Sequence, residues 1–139
     1  MIDLIFPYAA TTGDITVRVA PRYLPEQSDA ARGYHVWAYQ VRIENAAPFP
    51  VQLLSRFWFI VDGNGHDETV SGDGVVGVQP VIGPGQAYDY VSGCPLPTDS
   101  GSMAGHYTMT MLGEMAGRHF EVTIPTFALE RPGARRTLN

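Results

Sequence analysis

Gly72-Asp73-Gly74-Val75-Val76-Gly77 spells GxGxxG. In a dinucleotide-binding loop that spacing lets the backbone approach a pyrophosphate, and the following helix binds it through its N-terminus. The surroundings exclude that chemistry. Pro80 and then Gly83-Pro84-Gly85 follow too closely for a helix of useful length. The glycines therefore serve a loop in another fold. One role is an anion nest, with backbone N–H groups of Gly72, Gly74 and Gly77 turned toward a phosphate and Arg56 as the cation. Asp73 opposes this, and no Lys, Ser or Thr follows as in a P-loop. The other role is a tight inter-strand connection that needs positive φ and packs through Val75 and Val76.

Other residues offer weaker chemistry. His66-Asp67-Glu68, with Asp73, is an oxygen-and-imidazole group beside a turn. On a strand His66 and Glu68 share a face, so both reach one divalent ion. Asp62-Gly63-Asn64-Gly65-His66 opens like a calcium loop but lacks its sixth-position Gly and twelfth-position Glu. The plain alternative is a solvated polar hairpin. Arg56 and Trp58 project from one face of an aromatic-rich strand. Exposed, they suit a protein-binding hot spot; the alternative puts Trp58 in the core with Arg56 stacked over it. His106 and His119 fall on outward faces of two strands that pair if adjacent. No GxSxG elbow accompanies any serine. Cys94, between Gly93 and Pro95, reads as a small buried group.

The elements that position these residues are strands. Ile15, Val17 and Val19 alternate with polar residues, as do Trp37, Tyr39, Val41 and Ile43. Val51 to Val61 is apolar at both parities, the pattern of a strand covered on both faces. Asp62-Gly63-Asn64-Gly65 predicts a hairpin turn, with a return strand from about His66 to Ser71. Tyr88 and Tyr90 share a face of the next strand. Two more follow, around His106–Met111 and His119–Ile124. No segment holds a 3.6-residue period. About seven short strands between Gly/Pro turns predict an antiparallel sandwich or barrel. We divide the chain into an N-terminal extension (1–13), a sandwich domain (14–130) and a polar C-terminal tail (131–139).

Composition narrows the function classes. The chain has 139 residues, 45% hydrophobic and 17% charged, and a net charge of −5. That fits one domain with a real core. All nine basic residues are Arg, scattered along the chain. A nucleic-acid binder concentrates its cations on one face, so no nucleic-acid partner is expected. One cysteine excludes an intrachain disulfide and multi-cysteine zinc sites. The first residues lack a basic leader, and the apolar runs are far shorter than the ~20 residues of a membrane helix. We expect a cytoplasmic protein without membrane insertion.

Several motifs in order resemble the ApaG family. They are Tyr23-Leu24-Pro25-Glu26-Gln27-Ser28, Val51-Gln52-Leu53-Leu54-Ser55-Arg56 with Trp58, and Asp62-Gly63-Asn64-Gly65. Gly72 through Pro80, Gly83-Pro84-Gly85, Ser92-Gly93-Cys94-Pro95-Leu96 and Gly101 through Tyr107 continue the match. The resemblance runs from about Ile15 to about Leu129. It implies a fibronectin type III-like β-sandwich and a genetic link to cobalt and magnesium resistance or efflux; we expect no cofactor. It also implies a protein-interaction role rather than an enzymatic one. Phe57 stands where members often carry His, and Val78 where they often carry Glu, so a metal site built on those groups is incomplete here. The leading expectation is a non-enzymatic adaptor that acts through a protein partner and presents the Gly72–Pro80 loop. The rival is a sensor that binds a phosphate-containing small molecule, such as a dinucleoside tetraphosphate, at that loop. A direct carrier of Co2+ or Mg2+ is third.

Overall fold

The computed structural model describes residues 5–113 and 116–133. Among these residues nine strands form two antiparallel sheets. The first sheet holds β1 (Tyr8–Thr12), β2 (Ile15–Tyr23), β3 (His35–Asn45) and β7 (Ala87–Leu96), in that order. The second is ordered β5 (Asp67–Asp73), β4 (Val51–Asp62), β8 (Ser100–Met111) and β9 (His119–Glu130). The two-residue β6 (Val81–Ile82) pairs with the start of β4. Two short 3-10 turns, Pro25–Gln27 and Ala30–Arg32, fill the β2–β3 connection. No described helix is long and apolar enough to cross a membrane.

The sheets pack face to face, and period-two alternation supplies the core. Trp37, Tyr39, Val41 and Ile43 all point inward and are buried. Tyr107, Met109, Val122 and Ile124 answer them from the second sheet. Tyr90 of β7 and Tyr107 of β8 join hydroxyl to hydroxyl across the two sheets. Asn45 is also buried. Its side chain bonds the carbonyls of Phe49, Ile82 and Gly83 and the N–H of Ala47, and so ties the β3–β4 connection to β6.

β4 departs from its sequence reading. The register shifts between Leu53 and Ser55, a β-bulge. Val51 and Leu53 face the core before it; Trp58 and Ile60 face it afterwards. The bulge, not a third layer, accounts for apolar residues at both parities. Phe59 lies on the outer face, 40% exposed. β9 behaves similarly: the β8–β9 register shifts between Met103 and Gly105, and β9 continues to Glu130 with Phe127 and Leu129 buried.

The two long sides of the sandwich differ. On one, β1 covers the free edge of β9: Thr12 Oγ1 accepts from Thr123 N–H at 3.0 Å, and Tyr8 Oη accepts from Ala128 N–H at 3.3 Å. On the other, β5 and β7 are edge strands. Among the described residues no strand pairs with their second edges.

Candidate functional site

Inward-facing residues of β5 and β7 line this open side. β7 alternates Tyr90, Ser92, Cys94 and Leu96 toward the interior, and β5 offers Glu68, Val70 and Gly72. Between them lies a cleft of about 330 Å³, where Tyr39 and Trp58 meet edge to face at 5.4 Å. A recess of about 160 Å³ continues it past Ile60 and Glu68 to Asp62, His66 and Pro97. The cleft volume falls in the usual range for ligand pockets.

Trp58 is 3% exposed and lies in the inter-sheet core. Arg56, two residues before it on the same face, turns along the strand toward the glycine loop. Its Nη1 donates to the carbonyl oxygens of Asp73 and Gly74, both at 3.0 Å. Gly72 stands opposite Arg56 in the ladder and leaves the space the guanidinium fills. Gly74 has φ of +63°, and a Cβ there would run into the carbonyl of Val78. Val75 and Val78 then exchange N–H to carbonyl bonds around a two-residue turn. Val76 and Gly77 sit at its tip with φ of +48° and +80°, the geometry of a type I′ turn. Gly74 N–H bonds the carbonyl of Leu54. The loop thus directs two carbonyl oxygens at Arg56 and spends the N–H groups of Gly74, Val75 and Val78 on backbone partners.

The polar candidates near the Asp62 turn sit beside the recess. Asp62 Oδ1 accepts from the N–H groups of Asn64 and His66 at 2.8 and 3.1 Å, which fixes the turn. His66 is 81% exposed, its Nδ1 3.6 Å from Asp62 Oδ2. His66 and Glu68 both line the recess. Among the described residues, no three His, Cys, Asp or Glu side chains are grouped to hold a metal ion.

His106 and His119 are not brought together. His106 pairs with Thr123 and His119 with Thr110, which puts them about 13 Å apart along the hairpin. His106 instead stacks on Phe57, centroids 5.2 Å apart, with Nε2 3.5 Å from Glu121. Val78, the other position noted above, is 47% exposed on the loop hairpin.

Electrostatics in the cleft follow from burial. Desolvation pushes the Cys94 thiol up to about 11, with the Glu68 carboxylate adding to the shift. Burial also raises Tyr39, Tyr90 and Tyr107; the Arg56 charge pulls each the other way and loses. These groups are neutral at physiological pH, and Cys94 is a poor nucleophile. The sequence reading passed over Ser92, Val70 and Tyr39 as site residues. Strict alternation from Tyr88 to Leu96 carried the signal, since it puts Ser92 and Cys94 on the core side.

The fold and this open-sided cleft define an all-β, two-sheet sandwich with a cleft along one edge. A family model described as the ApaG domain matches residues 25–111. Protein ApaG of Mesorhizobium japonicum is 51% identical over 132 residues, covering 95% of this chain and 99% of that protein. Protein ApaG of Brucella canis is 52% identical over 132 residues, again 95% and 99%. A Bordetella pertussis crystal structure described as an ApaA protein superposes with a TM-score of 0.81 at 48% identity, covering 86% of this chain and 95% of that one. The chain belongs to the ApaG family.

Proposed function

We propose that the protein is a non-enzymatic binding module of the cytoplasm that influences cobalt and magnesium resistance or efflux through a protein partner. The observation that carries this reading is the cleft between the unpaired edges of β5 and β7. It combines apolar and aromatic surface with a few polar groups, as binding sites do. Among the described residues that line the cleft there is no histidine. Cys94 is buried with a raised pKa, and the nearest imidazole on the groove, His66, reaches back to Asp62. The link to cations comes from the family resemblance and enters through the partner. The glycine loop gives less support to a phosphate sensor, because Arg56 already serves its carbonyls.

Thermal unfolding with Co2+, Mg2+, ATP, pyrophosphate and diadenosine tetraphosphate tests this reading. A ligand at ~100 times its dissociation constant adds about 2.7 kcal/mol of stability. The expected result is an unchanged midpoint with all five. A specific rise with a polyphosphate would move the function to the Gly72–Pro80 loop, and a rise with either cation alone would favour a direct carrier.

A further inference from the structure

We infer that the free edge of β5 accepts one extended, basic peptide segment of the partner as an added antiparallel strand. This rests on the binding-module reading above and names the partner's chemistry.

An unpaired strand edge presents N–H and C=O groups in a row, and strand addition satisfies them; on β5 the Asp73 carbonyl already accepts one bond from Arg56 and offers its second lone pair. β5 is suited to that. Six of its seven residues are exposed, and Asp67, Glu68 and Asp73 make it acidic. A strand laid beside it also closes the mouth of the cleft.

Charge selects the occupant. Antiparallel pairing of β5 with β5 of a second copy, centred on Val70, sets Asp67 against Asp73 twice. Like charges directly opposite are destabilising, so a second copy is disfavoured and a basic strand is favoured. The residues of β5 write the complement. Opposite Asp73, Glu68 and Asp67 stand cations; opposite Val70, above the cleft, stands an aliphatic residue; opposite Ser71 and Thr69 stand β-branched polar residues. A further aliphatic residue stands opposite Gly72, on the same face as the one opposite Val70. Read antiparallel to β5, the probe is Lys-Val-Thr-Val-Thr-Arg-Lys.

The experiment is calorimetric titration of this heptapeptide, acetylated and amidated, into the full chain. Its partners are a peptide with Glu at the three basic positions and a basic peptide N-methylated at alternate amides. The protein is used as wild type and as Glu68→Arg, a substitution at an exposed position whose folding is checked by circular dichroism. The expected result is saturable binding of the basic peptide to the wild type and none of the acidic or N-methylated peptides. Glu68→Arg should weaken the basic peptide by about tenfold or more and gain affinity for the acidic one. Three results would overturn the inference: no binding of the basic peptide, binding indifferent to charge or N-methylation, or an edge occupied by self-association of the chain. Such a failure beside a silent ligand screen removes the strand proposal alone. A polyphosphate-induced shift in that screen removes the binding-module reading itself.

Discussion

The guanidinium of Arg56 fills the space that a side chain at Gly72 would need: a Cβ built there would lie 3.0 Å from Nη1. The same Nη1 holds the carbonyls of Asp73 and Gly74. The first glycine of the GxGxxG run thus makes room for an arginine, and the arginine fastens the loop that the run continues.

This coupling is measurable. Hydrogen bonds from a charged donor contribute roughly 1.5–3 kcal/mol, so Arg56→Ala should cost about 1–3 kcal/mol in denaturant unfolding. Gly72→Ala should cost less, under about 1 kcal/mol, because the end of a flexible side chain can move. In the Arg56→Ala background the Gly72→Ala cost should vanish. Additive costs in the double variant would contradict the coupling.

The turn beyond makes two opposite predictions. Gly74→Ala meets both an unfavourable φ and the Val78 carbonyl, and should cost more than about 2 kcal/mol. Val76 is a β-branched residue at positive φ on an exposed tip. Asn before Gly is the favoured type I′ pair, so Val76→Asn should stabilise by up to about 1 kcal/mol. A destabilised Val76→Asn variant would show that the valine is held by contacts rather than strained.

The buried hydroxyls and thiol predict alkaline lability. Unfolded tyrosines ionise near pH 10, whereas burial keeps Tyr39, Tyr90 and Tyr107 protonated above that. Cys94 likewise moves from 9.0 to about 11. The native state then binds more protons than the unfolded state, so stability falls as pH rises through about 9 to 11. Well below pH 9 these groups leave it unchanged. Absorbance titration at alkaline pH should find three of the seven tyrosines resistant until the protein unfolds. Iodoacetamide should leave Cys94 unmodified in the native protein at pH 8. Ready titration of all seven, or rapid alkylation, would contradict the packed interior.

Much of the fold was legible because alternation survives wherever a strand is regular. Trp37 to Ile43, Tyr107 to Met109 and Phe120 to Ile124 place their apolar residues as the pattern dictates. It failed where bulges change parity. β4 looked doubly covered because Leu53 and Trp58 sit on the same face at opposite parities. β9 seemed to end at Ile124, just before Pro125. β8 begins at Ser100 among Gly, Ser and Ala, residues too small to mark a strand face, although their neighbour β4 pairs with them. The loop was legible as a turn, since glycine supplies the positive φ that Gly74 and Gly77 adopt there. Its tie to Arg56 was not, because register across β4 and β5 decides it. The open cleft depends on which strands end as edges, and local sequence does not encode strand order.

Strand addition at β5 is tested most directly by amide hydrogen exchange of the full chain with and without saturating Lys-Val-Thr-Val-Thr-Arg-Lys. Strand addition slows exchange on β5, between Asp67 and Asp73, and leaves the loop from Gly74 to Pro80 unchanged. Protection of the loop with β5 unaltered would contradict it and return the binding site to the glycines.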